Sequence, residues 1–146
     1  MARSSLRADA ARDSAGLDAA LLLLRVVLGV LILAHGLSKL PPPPAPVVGL
    51  LGKMGLPSVL AYSVYIGEIV APILLIVGVW TRLAAILIVI NMVVALLLAH
   101  TGDLFHLGRS GGYALELQAM YLFTAVALAL TGAGRFSVGG RYGPLN

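Results

Sequence analysis

Four long apolar stretches, separated by short polar or proline-rich segments, constrain this chain more than any other feature. They cover about residues 19–38, 59–79, 83–99 and 114–130. A hydrocarbon core about 30 Å thick takes roughly 20 helical residues at about 1.5 Å each. The first two stretches reach that length. The last two, at 17 residues each, sit at its lower limit and need flanking residues such as Arg82 and Tyr113 to snorkel or rest at the interface. Across 146 residues the chain is 60% hydrophobic and only 11% charged. A water-soluble domain this small has too much surface for its volume to hide such an apolar load. The fold expected is therefore an all-α, integral membrane four-helix bundle, up-down, with antiparallel neighbours and short loops.

The boundaries follow from composition. Residues 1–16 interleave Arg3, Arg7 and Arg12 with Asp9 and Asp13 and read as a flexible polar tail. Asp18 fits an N-cap or a first-turn acid of the first span. Residues 17–132 form the four-span domain, and residues 133–146 a glycine-rich C-terminal tail. The first apolar stretch is too long for a signal-peptide core, so it is read as retained. Pro41 to Pro44 must end the first helix by Leu40 and should run as extended polyproline II. Residues 47–57 read as an apolar loop or a short interfacial helix. Trp80, Thr81 and Arg82 make a tight connection, and residues 100–112 a polar, glycine-rich loop.

Charge placement gives an orientation. Arg3, Arg7, Arg12, Arg82, Arg135 and Arg141 fall on one side; Lys39, Lys53 and Arg109 fall on the other. The richer side is expected in the cytoplasm, with both termini there and the proline and histidine loops outside. The net charge is +4, but the basic residues are scattered without a basic-aromatic cluster. That pattern suits anionic lipid headgroups and not nucleic acid. The absence of cysteine excludes disulfides, thiolate metal sites and thiol catalysis.

Ionisable groups inside a membrane need a partner or a function. Arg25 shares a helix face with Gly29, Ile32 and Gly36, so it should point into the bundle beside a closely packed neighbour. Glu68 lies in the second span. Pro72 follows four residues later and cannot donate to the Glu68 carbonyl, which predicts a kink and a free acceptor beside the carboxylate. Arg25, Glu68 and Asn91 are expected in one buried polar cluster that serves a proton, a cation or a polar headgroup, or simply fixes helix register. His35, Lys39, His100, Asp103, His106, Tyr113 and Glu116 gather at the outer mouth. Histidine and carboxylate could ligate zinc or copper. The spacing His100-x2-Asp103-x2-His106 is not a metal signature, however, and no metal is expected. Proton exchange with a bound hydroquinone, or mere interfacial polarity, are the other readings. Trp80, Tyr62, Tyr65 and Tyr113 read as aromatic-belt residues. A weak repeat is visible: Leu-Ala-His closes spans one and three, and each is followed by a span carrying one carboxylate, Glu68 or Glu116; it is either a coincidence among Leu- and Ala-rich helices or a true repeat that places His35 and His100 at equivalent depths.

An ordered set of short motifs then resembles a known family. It comprises Leu24-Arg25 with Leu28-Gly29, His35-Gly36 with Lys39, Met54-Gly55-Leu56-Pro57, Gly67-Glu68, Thr81-Arg82-Leu83-Ala84-Ala85, Asn91-Met92, Gly111-Gly112-Tyr113 with Glu116, and Gly134-Arg135-Phe136-Ser137. Over about residues 20–138 the chain resembles the DoxX family of small four-helix membrane proteins. The resemblance implies a prokaryotic cell-membrane protein. Some relatives look like quinone-linked subunits of thiosulfate oxidation, and others are linked to oxidant defence. The Pro41–Pro44 tract departs from the family's more aromatic loop, and the lack of cysteine rules out a persulfide on this chain.

The leading functional expectation is a non-catalytic or weakly catalytic membrane subunit of a redox assembly. It has no intrinsic cofactor, contacts a quinone, and associates with other redox subunits or with itself. The alternatives are an oligomeric transporter or channel subunit for small solutes or protons, and a structural or assembly factor.

Overall fold

Span one continues without a break from a preceding polar segment to form α1, Ala2–Leu37. The computed structural model describes residues 2–108 and 111–146, with side chains from residue 14 onward. Arg109, and the side chains of Arg3, Arg7 and Arg12, which entered the orientation count, lie outside the described residues. The segment read as a tail is thus helical backbone. Its alanines and arginines are good helix formers, and neither glycine nor proline interrupts it before Gly16. Asp18 is correspondingly not an N-cap. It lies well inside α1 and is buried.

The helix tightens at its end, where Lys39 and Leu40 donate to carbonyls three residues back. The proline tract is a series of bends rather than an extended polyproline helix, with cis bonds at Leu40–Pro41 and Pro42–Pro43. The short helix α2, Ala45–Lys53, follows directly and buries Leu51.

The second span, Ser58–Val77, is long and apolar enough to cross a bilayer, but it is not one regular helix. It opens as a 3-10 turn over Ser58–Ser63, widens into a π turn over Ile66–Val70, and only then becomes α3, Ala71–Val77. Pro72 is the reason. It cannot donate to the Glu68 carbonyl, and the helix makes up the deficit by the wider bond from Ala71 N–H to the Ile66 carbonyl. The kink expected at Pro72 is expressed as this π turn. Gly78 ends α3 in the left-handed region at φ 76°, where a side chain would also strike the guanidinium of Arg25. Trp80, at φ 51°, completes the tight connection.

The third span is α4, Thr81–Ala99, and the fourth is α5, Glu116–Thr131. With 16 residues, α5 is about 24 Å long, shorter than a full crossing. α1 packs on α3 and α5, and α4 packs on α5 and α3, so the spans form a closed ring. This is the all-helical bundle expected: three long apolar helices and a shorter fourth. Its core alternates bulk with alanine. Ile32, Leu75 and Ile88 meet Ala71, Ala84 and Ala85, all essentially inaccessible. Small residues at helix contacts bring backbones close, which in lipid replaces the hydrophobic effect as the source of packing energy.

The C-terminal segment folds back across one end of the bundle. Val138 and Gly139 donate from their backbones to Val77 and Gly78. The side chain of buried Asn146 accepts from Thr81 N–H at 2.9 Å and donates to Gly78 and Gly140 carbonyls at 3.1 and 2.8 Å. It thereby closes both the C-terminus of α3 and the N-terminus of α4. This end is the arginine pole. The opposite end, where His35 and His100 lie, is the histidine pole.

Candidate functional site

Glu68 and Asn91 come together as expected, but their third partner is Lys39 and not Arg25. Lys39 Nζ donates to both oxygens of Glu68, at 2.5 and 2.6 Å. Asn91 Nδ2 adds a longer bond of 3.3 Å to Glu68 Oε1. The Glu68 side chain is 3% exposed and that of Lys39 19%, so the pair is largely withdrawn from solvent. A buried charge is tolerable when paired and hydrogen-bonded in this way.

Backbone close packing positions the group. A methyl group at Gly36 would collide with the backbone carbonyl and Cβ of Glu68, and one at Gly67 would collide with Asn91. α1 and α4 therefore touch the π turn directly, and Glu68 is held between them. The carbonyl freed by Pro72 lies under Gly36. Lys39 follows the end of α1, and its own carbonyl accepts from Tyr65 Oη at 3.1 Å. Its stem reaches inward from there.

The triad lines a cavity of about 480 Å³ at the histidine pole. That volume is in the ordinary range of small-molecule sites, about 300–1,000 Å³. The walls are mainly apolar. α2 covers one side through Val47, Leu50 and Leu51. Leu60, Val94 and Leu117 line the cavity yet are exposed on the lipid-facing surface, so the space reaches the side of the bundle. His35 and His100 also border it, as do Gln118 and Tyr121. Sequence reasoning missed the last two. Gln118 is a polar residue inside an apolar span, and Tyr121 is one turn further along the same face, too deep for an aromatic belt.

The rest of the outer-mouth set is more dispersed. His100 Nδ1 lies 3.5 Å from Asp103. The His106 ring is 2.5 Å from the Gly102 carbonyl within its own loop, and Tyr113 Oη donates to Leu104 at 2.9 Å. Glu116 is exposed at the start of α5, near Gly112. Among the described residues, no three of His, Asp and Glu gather as metal ligands.

Arg25 stands at the other pole. It is fully buried, and its Nη2 donates to the Phe136 carbonyl at 2.5 Å. Eleven residues separate it from Gly36, the level of Glu68, which is about 16 Å along α1. The inward face of Gly29, Ile32 and Gly36 is as expected; the joint cluster with Glu68 is not formed. Near Arg25 lies a node that the sequence did not disclose. Asp18 Oδ1 accepts from Arg135 N–H at 2.9 Å and from Arg141 Nη2 at 2.6 Å. Its hydrogen bond holds the Arg141 guanidinium above the already high proton affinity of arginine.

Three long apolar helices, a shorter fourth and an ion-paired cavity at one end define a small multi-pass membrane protein. The chain belongs to the DoxX family, which it matches over residues 20–101. It is 31% identical over 112 residues to a Bacillus subtilis protein named "Putative oxidoreductase CatD", spanning 77% of this chain and 78% of that one. It is 32% identical over 122 residues to a Haemophilus influenzae protein named "Uncharacterized protein", spanning 82% and 87% of the two chains. No solved structure matches it.

Proposed function

We propose that the protein is a membrane subunit of a redox assembly whose histidine-pole cavity holds the head of a quinone. The observation that carries this reading is an apolar cavity, reaching the lipid-facing side, with Lys39, Glu68 and Asn91 at its polar end. An amphiphile dissolved in the bilayer matches that polarity: its tail lies along Leu60, Val94 and Leu117, and its head meets the polar end. The oxidoreductase name of the Bacillus subtilis relative also supports it.

The residues present suit such a head. Asn91 and Gln118 offer amide donors to ring oxygens, and Lys39 an ammonium donor. Glu68 can accept a proton from a hydroxyl, and His35 and His100 border the same cavity. A quinone, when bound, supplies two-electron, two-proton carriage, and the electrons come from a partner subunit. On this reading the protein lies in a prokaryotic cell membrane with both termini in the cytoplasm, and it works within a complex or as a homo-oligomer.

The test is extraction of the gently purified protein, with mass spectrometry of its lipids, followed by titration with decylubiquinone and a menaquinone analogue. A stoichiometric quinone, or saturable binding weakened about tenfold by Asn91→Leu, is the expected result, the usual worth of one hydrogen bond. Absence of both co-purified quinone and saturable binding overturns the proposal.

A further inference from the structure

Among the described side chains, the arginine pole carries more guanidiniums than carboxylates. Arg25, Arg82, Arg135 and Arg141 gather there, and among the described side chains only the Asp18 carboxylate opposes them. Arg25 is the most exacting member. It is 0% exposed, and among the described residues nothing accepts a hydrogen bond from its Nε or Nη1. A buried cation without a counter-ion is costly in a membrane protein, and a nearby anion lowers that cost.

A second cavity of about 690 Å³ opens beside this group, between α1, the end of α5 and the C-terminal segment. Its floor, at Leu21 and Asp18, lies one and two helical turns from Arg25. Arg82 and Arg141 are on its walls, with Tyr142 and with Thr131, whose hydroxyl donates to the Ala127 carbonyl at 2.7 Å. Arg82 is also incompletely satisfied. Its Nε reaches the main-chain oxygen of Asn146 at 3.1 Å, but among the described residues its two terminal nitrogens reach only the Ala129 and Thr131 carbonyls, at 3.4 and 3.5 Å. Bonds that long are weak, and an anionic oxygen would be preferred by both nitrogens. Leu17 and Leu21 give the cavity an apolar side, and Leu17 is exposed on α1.

We propose that this cavity binds a phosphate group, and that the source of the phosphate is the headgroup of an anionic membrane lipid. Arg82 and Arg141 hold the phosphate oxygens, Tyr142 adds a hydroxyl donor, and an acyl chain descends along Leu17 and Leu21. The bound anion offsets the field of Arg25 and ties α1 to the C-terminal segment. The site is independent of the quinone cavity at the other pole.

The test uses the full chain purified in a neutral detergent. Its thermal midpoint and its retained ligands by native mass spectrometry are followed with added phosphatidylglycerol, phosphatidylcholine or inorganic phosphate. Each shift is read as the difference with and without additive for the same variant, so a lower baseline does not mask it. Phosphatidylglycerol is expected to raise the midpoint by several degrees, and phosphatidylcholine to leave it nearly unchanged. Retention of the anionic lipid should fall about tenfold in Arg82→Gln, the loss of one charge-assisted hydrogen bond. It should fall similarly in Arg141→Gln and recover partly in Arg82→Lys. An equal shift with inorganic phosphate alone would uphold the phosphate site but overturn its lipid source. Equal shifts from both lipids, or an unchanged phosphatidylglycerol shift in both glutamine variants, would overturn the site.

Discussion

The two poles of this bundle solve the same electrostatic problem in different ways. At the arginine pole, Arg25, Arg82 and Asn146 are bonded to backbone carbonyls and amides, and Asp18 takes one of its two bonds from a backbone N–H. At the histidine pole, Lys39, Glu68 and Asn91 are bonded to one another through side chains, beside open space. A backbone partner is fixed by the fold and can be lost only if the chain moves. A side-chain partner can rotate away, and an entering ligand can take its place. The difference teaches where exchange can occur: Arg25 and Asn146 are fastened to the backbone, whereas the group of Lys39, Glu68 and Asn91 is able to trade one partner for another.

The largest effect expected from breaking this contrast is at Glu68. Lys39→Met or Glu68→Leu leaves one charge without its partner, at a cost of about 3–5 kcal/mol for a buried pair. The double variant should recover most of that loss. Thermal unfolding in detergent measures it, and losses that simply add would show that the pair is not coupled. A smaller loss is expected for Asp18→Asn, about 1–3 kcal/mol for weakened charge-assisted bonds. It should loosen the C-terminal segment, seen as faster proteolysis after Arg135 or Arg141, without changing ligand binding at the other pole. A change in that binding would mean that the poles communicate.

Arg25→Leu combined with Glu68→Leu sharpens the comparison further. Because about 16 Å of α1 separates the two levels, the losses should add to within about 0.5 kcal/mol. A coupling well above that would restore a single polar cluster. The smallest effect is expected for His106→Ala, below about 0.5 kcal/mol, because its ring bonds only within its own exposed loop. Quinone binding should be unaffected, and a clear loss would bring that loop into the site.

The spans were legible because apolar length in a bilayer leaves the chain few alternatives to a helix. Glu68 and Asn91 were legible because each interrupts an otherwise apolar run. The choice of Lys39 over Arg25 was not. Both lie on α1, and spacing alone does not tell which neighbour stands at which depth. Gly36 under Glu68 and Gly78 under Arg25 fix those depths, and both are contacts between segments distant in sequence. The C-terminal segment was illegible for a similar reason. Its glycines look like a linker until Asn146 and Phe136 are seen to satisfy groups on α4 and α1. The π turn was half legible: Pro72 announced a missing bond, but not that the helix would widen to replace it.

The closure of α4 by Asn146 also has a meaning in time. The first amide of α4, at Thr81, is completed by a side chain 65 residues later. At a synthesis rate of about 5–20 residues per second, that partner arrives roughly 3–13 s after Thr81. During this interval the third and fourth spans must be made and inserted while the start of α4 relies on water and headgroups. A chain cut short before residue 138 would keep all four spans yet never acquire this closure. Shutting the arginine pole is therefore a late step of biogenesis, and it separates a finished molecule from one that is merely inserted.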